Sequence, residues 1–396
     1  VSRDVNKAIH YFLLSANQNF SMAQFTLGAI YYNGHYIARD VNKAILYLSL
    51  AEKNKHKKAG YVLGIIYTER NDIKKAIHHY LLASELNCPE AQFNLGVIYS
   101  SGEYIQPDID KALHFFKLAS DQHLARAQCF LGSIYLAGRY VKEDINKAIH
   151  YLQLASNQNN SYSQCILGFI YVCGAWLNVD IKKSKFYFSL SSKNGCRFAN
   201  FAHGYFLHIE NDIENAIRLY KEASSFQIQY AKNNLGIIYK YKGNASNSIV
   251  YFREAIEENN DYLAAYNMAN IILYDKTINN DINEAIELLS KSYDKFDHSF
   301  VLLCLAIVKK IGFNLENIKN EIVKRGLPLE IYKRICDLDL FDQFVFNNLY
   351  DSYREIDFLY NILIEPVLSS DLDKIYSKKE FVKYPNAKNI SIEFYN

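Results

Sequence analysis

Apolar residues recur at intervals of three and four along most of the chain, and the recurrence is itself repeated. In AQFNLGVIY, the positions Ala91, Leu95, Ile98 and Tyr99 fall at i, i+4, i+7 and i+8, which is one face of a helix. A second segment opens at Asp108 and sets Ala112, Phe115, Phe116 and Ala119 at helical spacing. Its carboxylate stands where it can accept from an otherwise unbonded N–H of the first helical turn, so Asp108 is expected as an N-cap. Each unit thus predicts two helices, A and B. Helix A spans about 13 residues, roughly 20 Å at 1.5 Å per residue.

The Asp that opens helix B returns throughout. It stands at Asp4, Asp40, Asp72, Asp108, Asp144, Asp180 and Asp212, is replaced by Asn244, and returns at Asp281. The steps between them are 36, 32, 36, 36, 36, 32, 32 and 37 residues, the period of a helical repeat array. Gly28, Gly64, Gly96, Gly132, Gly168, Gly204 and Gly236 sit inside helix A. An internal glycine costs about 1 kcal/mol against alanine, so a glycine kept in seven units predicts a close helix crossing; in the last unit Met268-Ala269 replaces Leu-Gly. The longer units add a corner, as in SGEYIQPD. There Gly34, Gly102, Gly138 and Gly174 suit a left-handed C-cap, and Tyr36, Tyr104, Tyr140 and Trp176 are expected to pack a ring into the corner.

Beyond residue 296 the period fades. NLENIKNEIVKRG reads as a helix capped by Asn314 and ended by Gly326, with Pro328 just beyond. The expected layout is a repeat solenoid over 1–296, with eight to nine repeats and the first incomplete, then a degenerate helical cap over 297–370 and a mobile tail over 371–396. A docking element for a partner is the other reading of the 297–370 segment.

Composition narrows the function. A formal charge of +2 gives no electrostatic footprint for a nucleic-acid binder. The longest apolar run, VLLCLAIV from Val301, is far short of the ~20 residues of a membrane span. Seven cysteines without C-x-x-C spacing predict thiols in a reducing compartment, so a cytoplasmic site is expected. The ER lumen is the alternative if a signal peptide precedes Val1. His10, His78, His114 and His150 occupy one repeated position. Packed helices lie about 10 Å apart, too far for ligands that must reach zinc at ~2 Å. No phosphate loop, G-x-S-x-G or H-E-x-x-H occurs. Neither an enzyme nor a cofactor is expected.

The run Ala127, Leu131, Gly132, Tyr135, Gly138, Val141, Asp144, Lys147, Ala148, Tyr151 and Ala155 resembles the pattern of the Sel1-like repeat family, a branch of the tetratricopeptide-like repeats. The resemblance covers about residues 1–300. It implies an all-α, right-handed solenoid superhelix of antiparallel helix pairs with the A helices on the concave side. It also implies a non-enzymatic scaffold or adaptor for a protein or peptide. The alternative is a regulatory or substrate-recruiting segment of a larger enzyme, a protein kinase or an ER-associated ubiquitin-ligase adaptor, whose catalytic part is not in this chain. Carried over from related arrays, the concave face comprises positions two before, two after and five after the helix A leucine. They include Phe25, Tyr61, Phe93, Phe201 and Tyr266, and then Val97 and Phe169. Asn94 and Asn234, just before the leucine, complete the candidate binding set. Lys58 and Arg126 are the nearest basic residues.

Overall fold

The computed structural model describes residues 5–290, apart from 35, 36, 103, 139, 140, 227, 229, 260 and 275–280, together with 315–327. Among them every regular element is a helix. The order is α1 (Val5–Asn17), α2 (Ser21–Asn33), α3 (Val41–Lys53), α4 (Ala59–Glu69), α5 (Ile73–Glu85), α6 (Pro89–Ser101), α7 (Ile109–Asp121), α8 (Ala125–Ala137) and α9 (Ile145–Ser156). It continues as α10 (Ser161–Cys173), α11 (Ile181–Lys193), α12 (Arg197–Ile209), α13 (Ile213–Ser224), α14 (Ala231–Tyr241), α15 (Ala245–Asn259), α16 (Tyr262–Tyr274), α17 (Ile282–Ser290) and α18 (Leu315–Lys324). Up to α17 the even-numbered helices are the A helices and the odd-numbered ones the B helices. Short connections make consecutive helices antiparallel neighbours. The described part of the chain divides into two units, the first ending at Leu167 and the second beginning at Gly168.

From α2 to α15 each A helix is held to its B helix by the expected glycine, and in α16 Ala269 takes that place. A Cβ built on Gly96 would stand 2.6 Å from Phe116 Cδ1, and one on Gly64 2.3 Å from Tyr80 Cε1. Gly28 and Gly132 lie equally close to Leu48 and Leu152, and in the second unit Gly236 lies as close to Phe252. Real side chains do not approach so near, so only glycine lets the two backbones reach this separation. Buried alanines finish the contact, among them Ala44, Ala76, Ala112, Ala148 and Ala216.

The B helices start where the acidic residues predict. The side chains of Asp40, Asp72, Asp108, Asp144 and Asp180 accept from the N–H three residues on at 3.0–3.2 Å. Asn244 does the same for Asn247 at 3.0 Å. The long corners turn through left-handed Gly34, Gly102, Gly138 and Gly174, with φ between 61° and 68°. In the short corners Asn71 and Asn211 take that conformation, and Asn19, Asn87 and Asn159 take it where a B helix passes to the next A helix. Asparagine tolerates the left-handed region better than other non-glycine residues, which gives part of the chain's asparagine content a structural reason. In the corners Tyr104 and Trp176 are half-buried. Tyr36 and Tyr140 lie outside the described residues.

In the second unit α18 ends at Gly326, with φ 65° and the Leu327 N–H returned to the Ile322 carbonyl at 3.0 Å. Ile322 packs into the cluster of Leu288 and Leu289 from α17. Asn314, Pro328, the rest of the expected 297–370 cap and the 371–396 tail lie outside the described residues.

Candidate functional site

A recurring three-layer stack accounts for the lysine of each Asp-x-x-Lys. In α3, α5, α7, α9 and α11 the lysine Nζ lies 2.8–3.7 Å from the capping aspartate. It also sits 5.0–5.4 Å from the ring centre of the helix A tyrosine, Tyr31, Tyr67, Tyr99, Tyr135 or Tyr171. That tyrosine stacks on a B-helix ring, Tyr47, His79, Phe115, Tyr151 or Tyr187, with planes within 7°. Carboxylate, cation and two rings thus form one unit, and the lysine is consumed by architecture.

An amide ladder that sequence reading missed joins successive repeats of the first unit. Gln24, Gln92, Gln128 and Gln164 are buried and donate to the carbonyls of Ala16, Ser84, Ser120 and Ser156 at 3.1–3.4 Å. Three of them accept in turn from the end of the following B helix: Gln24 from Asn54 at 2.8 Å, Gln92 from Gln122 and Gln128 from Gln158 at 2.7 Å. Its signal was the recurrent glutamine three before the helix A leucine. In the second repeat Gly60 takes that place, and Glu52 leans into the space to reach His79 at 2.9 Å.

The candidate binding residues divide by burial. Phe93, Phe169 and Phe201 are only 1%, 3% and 0% exposed. Phe93 is wedged against Phe116 and Phe130 at 5.5 and 6.0 Å between ring centres. Phe169 meets Phe188 edge-on at 4.9 Å, and Phe201 lies 5.7 Å from Tyr220. Because the glycine draws the helices together, these rings fall into the space between helices and leave no surface for a partner. Asn234 is buried as well.

Phe25, Tyr61, Asn94, Val97 and Tyr266 remain half-exposed. Phe25 stacks on His56 at 4.2 Å. Burial, then Lys58, holds that imidazole below its usual pKa. Asn94 donates to the Tyr80 hydroxyl at 3.1 Å, and burial pushes that phenol up to about 12. Asn94 therefore has an architectural task that the sequence did not reveal. Of the basic residues, Lys58 pairs with Glu90 at 3.5 Å, and Arg126 lies over the Phe93 ring at 5.7 Å. The structure thus brings Tyr61, Asn94 and Val97 onto neighbouring A helices of the first unit and leaves Tyr266 in the second.

No three His, Cys, Asp or Glu side chains among the described residues converge to hold a metal ion. None of the described helices is long and apolar enough to cross a membrane.

The Sel1 repeat pattern matches residues 1–20, 21–56, 58–88, 89–124, 125–160, 161–196, 199–225 and 263–295. The chain belongs to the Sel1 repeat family. A tetratricopeptide repeat pattern fills residues 230–262 of this Sel1 chain. No curated protein matches it. Among solved structures it is similar to a Sel1 repeat protein from Oxalobacter formigenes. The identity is 23%, with 66% of this chain and 80% of that one covered, at a TM-score of 0.53. A protective antigen of uropathogenic Escherichia coli with an SLR fold aligns at 18% identity over 95% of this chain and 97% of its own, at a TM-score of 0.42. These likenesses concern the fold.

Proposed function

We propose that this Sel1 repeat chain is a non-enzymatic adaptor that holds a protein or peptide segment along the A-helix face of its repeats, the concave side of a solenoid. One observation carries the reading. The residues that recur are used by the architecture as caps, stacks, ladders and close crossings. Tyr61 and Val97 sit in consecutive repeats and keep part of their apolar surface in solvent, Tyr61 with its ring 6.3 Å from that of Tyr80 and Val97 packed at the edge of the Phe93 cluster. A row of half-exposed apolar side chains on a rigid helical scaffold suits the apolar anchors of a bound segment. The buried Phe93 supports this row from beneath and does not touch the partner.

A photo-crosslinking amino acid tests the proposal when placed at Tyr61 or Val97 and, as a control, at exposed His114 of helix α7. Covalent adducts to one partner segment are expected from the first two positions. Adducts from position 114, with none from 61 or 97, would put the binding surface on the B helices and overturn the reading.

A further inference from the structure

Helix α16 opens on a carboxylate where the other repeats have a different kind of residue. Seven positions before the helix A leucine, or the residue in its place, stand Phe20, His56, Cys88, Leu124, Asn160, Cys196 and Ile228, and in the last repeat, before Met268, Asp261; of the others Asn160 also caps its helix, accepting from the Ser163 N–H at 2.8 Å. Each N–H donates back to a carbonyl at the end of the preceding B helix, five residues back in the other repeats and six back from Asp261. For Asp261 the acceptor is Ala255 at 3.4 Å. The Asp261 side chain caps α16: Oδ1 accepts from the Leu263 and Ala264 N–H groups at 2.9 and 3.1 Å. Its other oxygen, Oδ2, is buried with no hydrogen-bond partner, and the residue is 2% exposed.

Among the described residues no cation pairs with that carboxylate. Lys232 of α14 is held by Glu254 and Glu258 of α15 at 2.9 and 2.6 Å. Arg253 of α15 is held by Glu284 of α17 at 2.8 Å. Lys240 of α14 is the other basic side chain of these elements, and Glu257 and Glu287 are acidic. An ionised carboxylate in this place has two donors on one oxygen and none on the other, away from water, which disfavours the charged form.

We propose that Asp261 is a proton-operated latch: protonation seats the start of α16 on the repeat before it, and ionisation loosens that seat, so the last repeats of the second unit tighten on acidification. Burial, countered in part by the two N–H groups, moves the carboxyl from 3.8 to about 6. A raised carboxyl pKa means the folded state holds the proton more tightly than the unfolded one. Its contribution is therefore largest below pH 4 and falls as pH rises to about 6, above which it is flat. Half-buried His203 and His208 of α12, both held below the usual imidazole value chiefly by desolvation, act in the opposite sense, so the readout must be local.

The test is amide hydrogen exchange of α16 in the full 396-residue chain at pH 7 and pH 5, each corrected for the intrinsic rate. Protection should rise about tenfold at pH 5 for a carboxyl shifted this far. In Asp261→Asn, which keeps the capping oxygen, protection should be high and equal at both values. Asp261→Ser provides the same comparison if the Asn variant does not fold. Protection that is unchanged or lower at pH 5, or a pH response that survives both substitutions, overturns the latch.

Discussion

Gly96→Ala is a one-carbon perturbation whose sign distinguishes packing from helix propensity. On propensity alone, alanine inside α6 should stabilise by about 1 kcal/mol. The new Cβ would stand 2.6 Å from two ring carbons of Phe116, and Phe116 is fully buried, so the ring cannot swing into solvent. Overpacking of this kind costs about 1–3 kcal/mol, and the net expectation is a loss of roughly 1–2 kcal/mol. Phe116→Ala alone should cost about 3–5 kcal/mol. With the ring gone the methyl has room, so the double variant should be less destabilised than the sum by about 1–3 kcal/mol. A repeat array need not unfold as one unit, so urea denaturation by circular dichroism should be paired with hydrogen exchange in α6 and α7. The distances also set an order among sites. Gly64→Ala, at 2.3 Å from Tyr80, should be worst, and Gly204→Ala, at 3.2 Å from Tyr220, mildest. A neutral or stabilising Gly96→Ala, or no order among the three sites, would refute the crossing argument.

Other outcomes follow from the same contacts. Gln128→Ala removes both rungs at its repeat and strands the Gln158 amide; a loss of about 1–3 kcal/mol is expected, with faster exchange at the ends of both α7 and α9. The aspartate caps Asp72, Asp108, Asp144 and Asp180 are held below the usual carboxylate range by their lysine and backbone N–H partners. Their stabilisation is thus complete above pH 4 and lost on further acidification, and Asp→Asn at these caps should shrink the acid limb of a pH–midpoint curve. His56, held low by burial and by Lys58, should cost its repeat protection as pH falls below 6.5; His56→Phe keeps the stack on Phe25 and should remove that loss in α4 exchange. Burial, then Glu90, pushes the Cys88 thiol up to about 12, so iodoacetamide at pH 7.5 should leave Cys88 unmodified until urea is added, as mass spectrometry would show.

The repeat, its helices and its glycines were legible because each is a local pattern stated many times. Asp108 announced its cap and Gly102 its left-handed turn without any knowledge of tertiary contacts. Asn94 and Phe93 were less legible. Both occupy positions that a carry-over from related arrays assigns to a binding face, yet Phe93 is sealed between Phe116 and Phe130 and Asn94 holds Tyr80. Spacing tells which face of a helix a residue occupies, and it does not tell how closely the next helix covers that face. The amide ladder escaped for the opposite reason. Nothing in the apolar spacing marks Gln92, and only the Ser84 carbonyl explains it. Asp261 was equally silent, since one Asp among Asn and Tyr reads as a turn until its burial is known.

The central claim is that recurring residues build the repeats and that the half-exposed Tyr61 and Val97 serve recognition. Once crosslinking has named a partner segment, isothermal titration of that segment against the chain tests the claim most directly. Tyr61→Ser and Val97→Ser should each weaken binding about tenfold, as truncating an anchor does, with the unfolding midpoint little changed, while His114→Ala should leave affinity unaltered. Equal affinity in all three variants, or a loss confined to His114→Ala, would contradict the account.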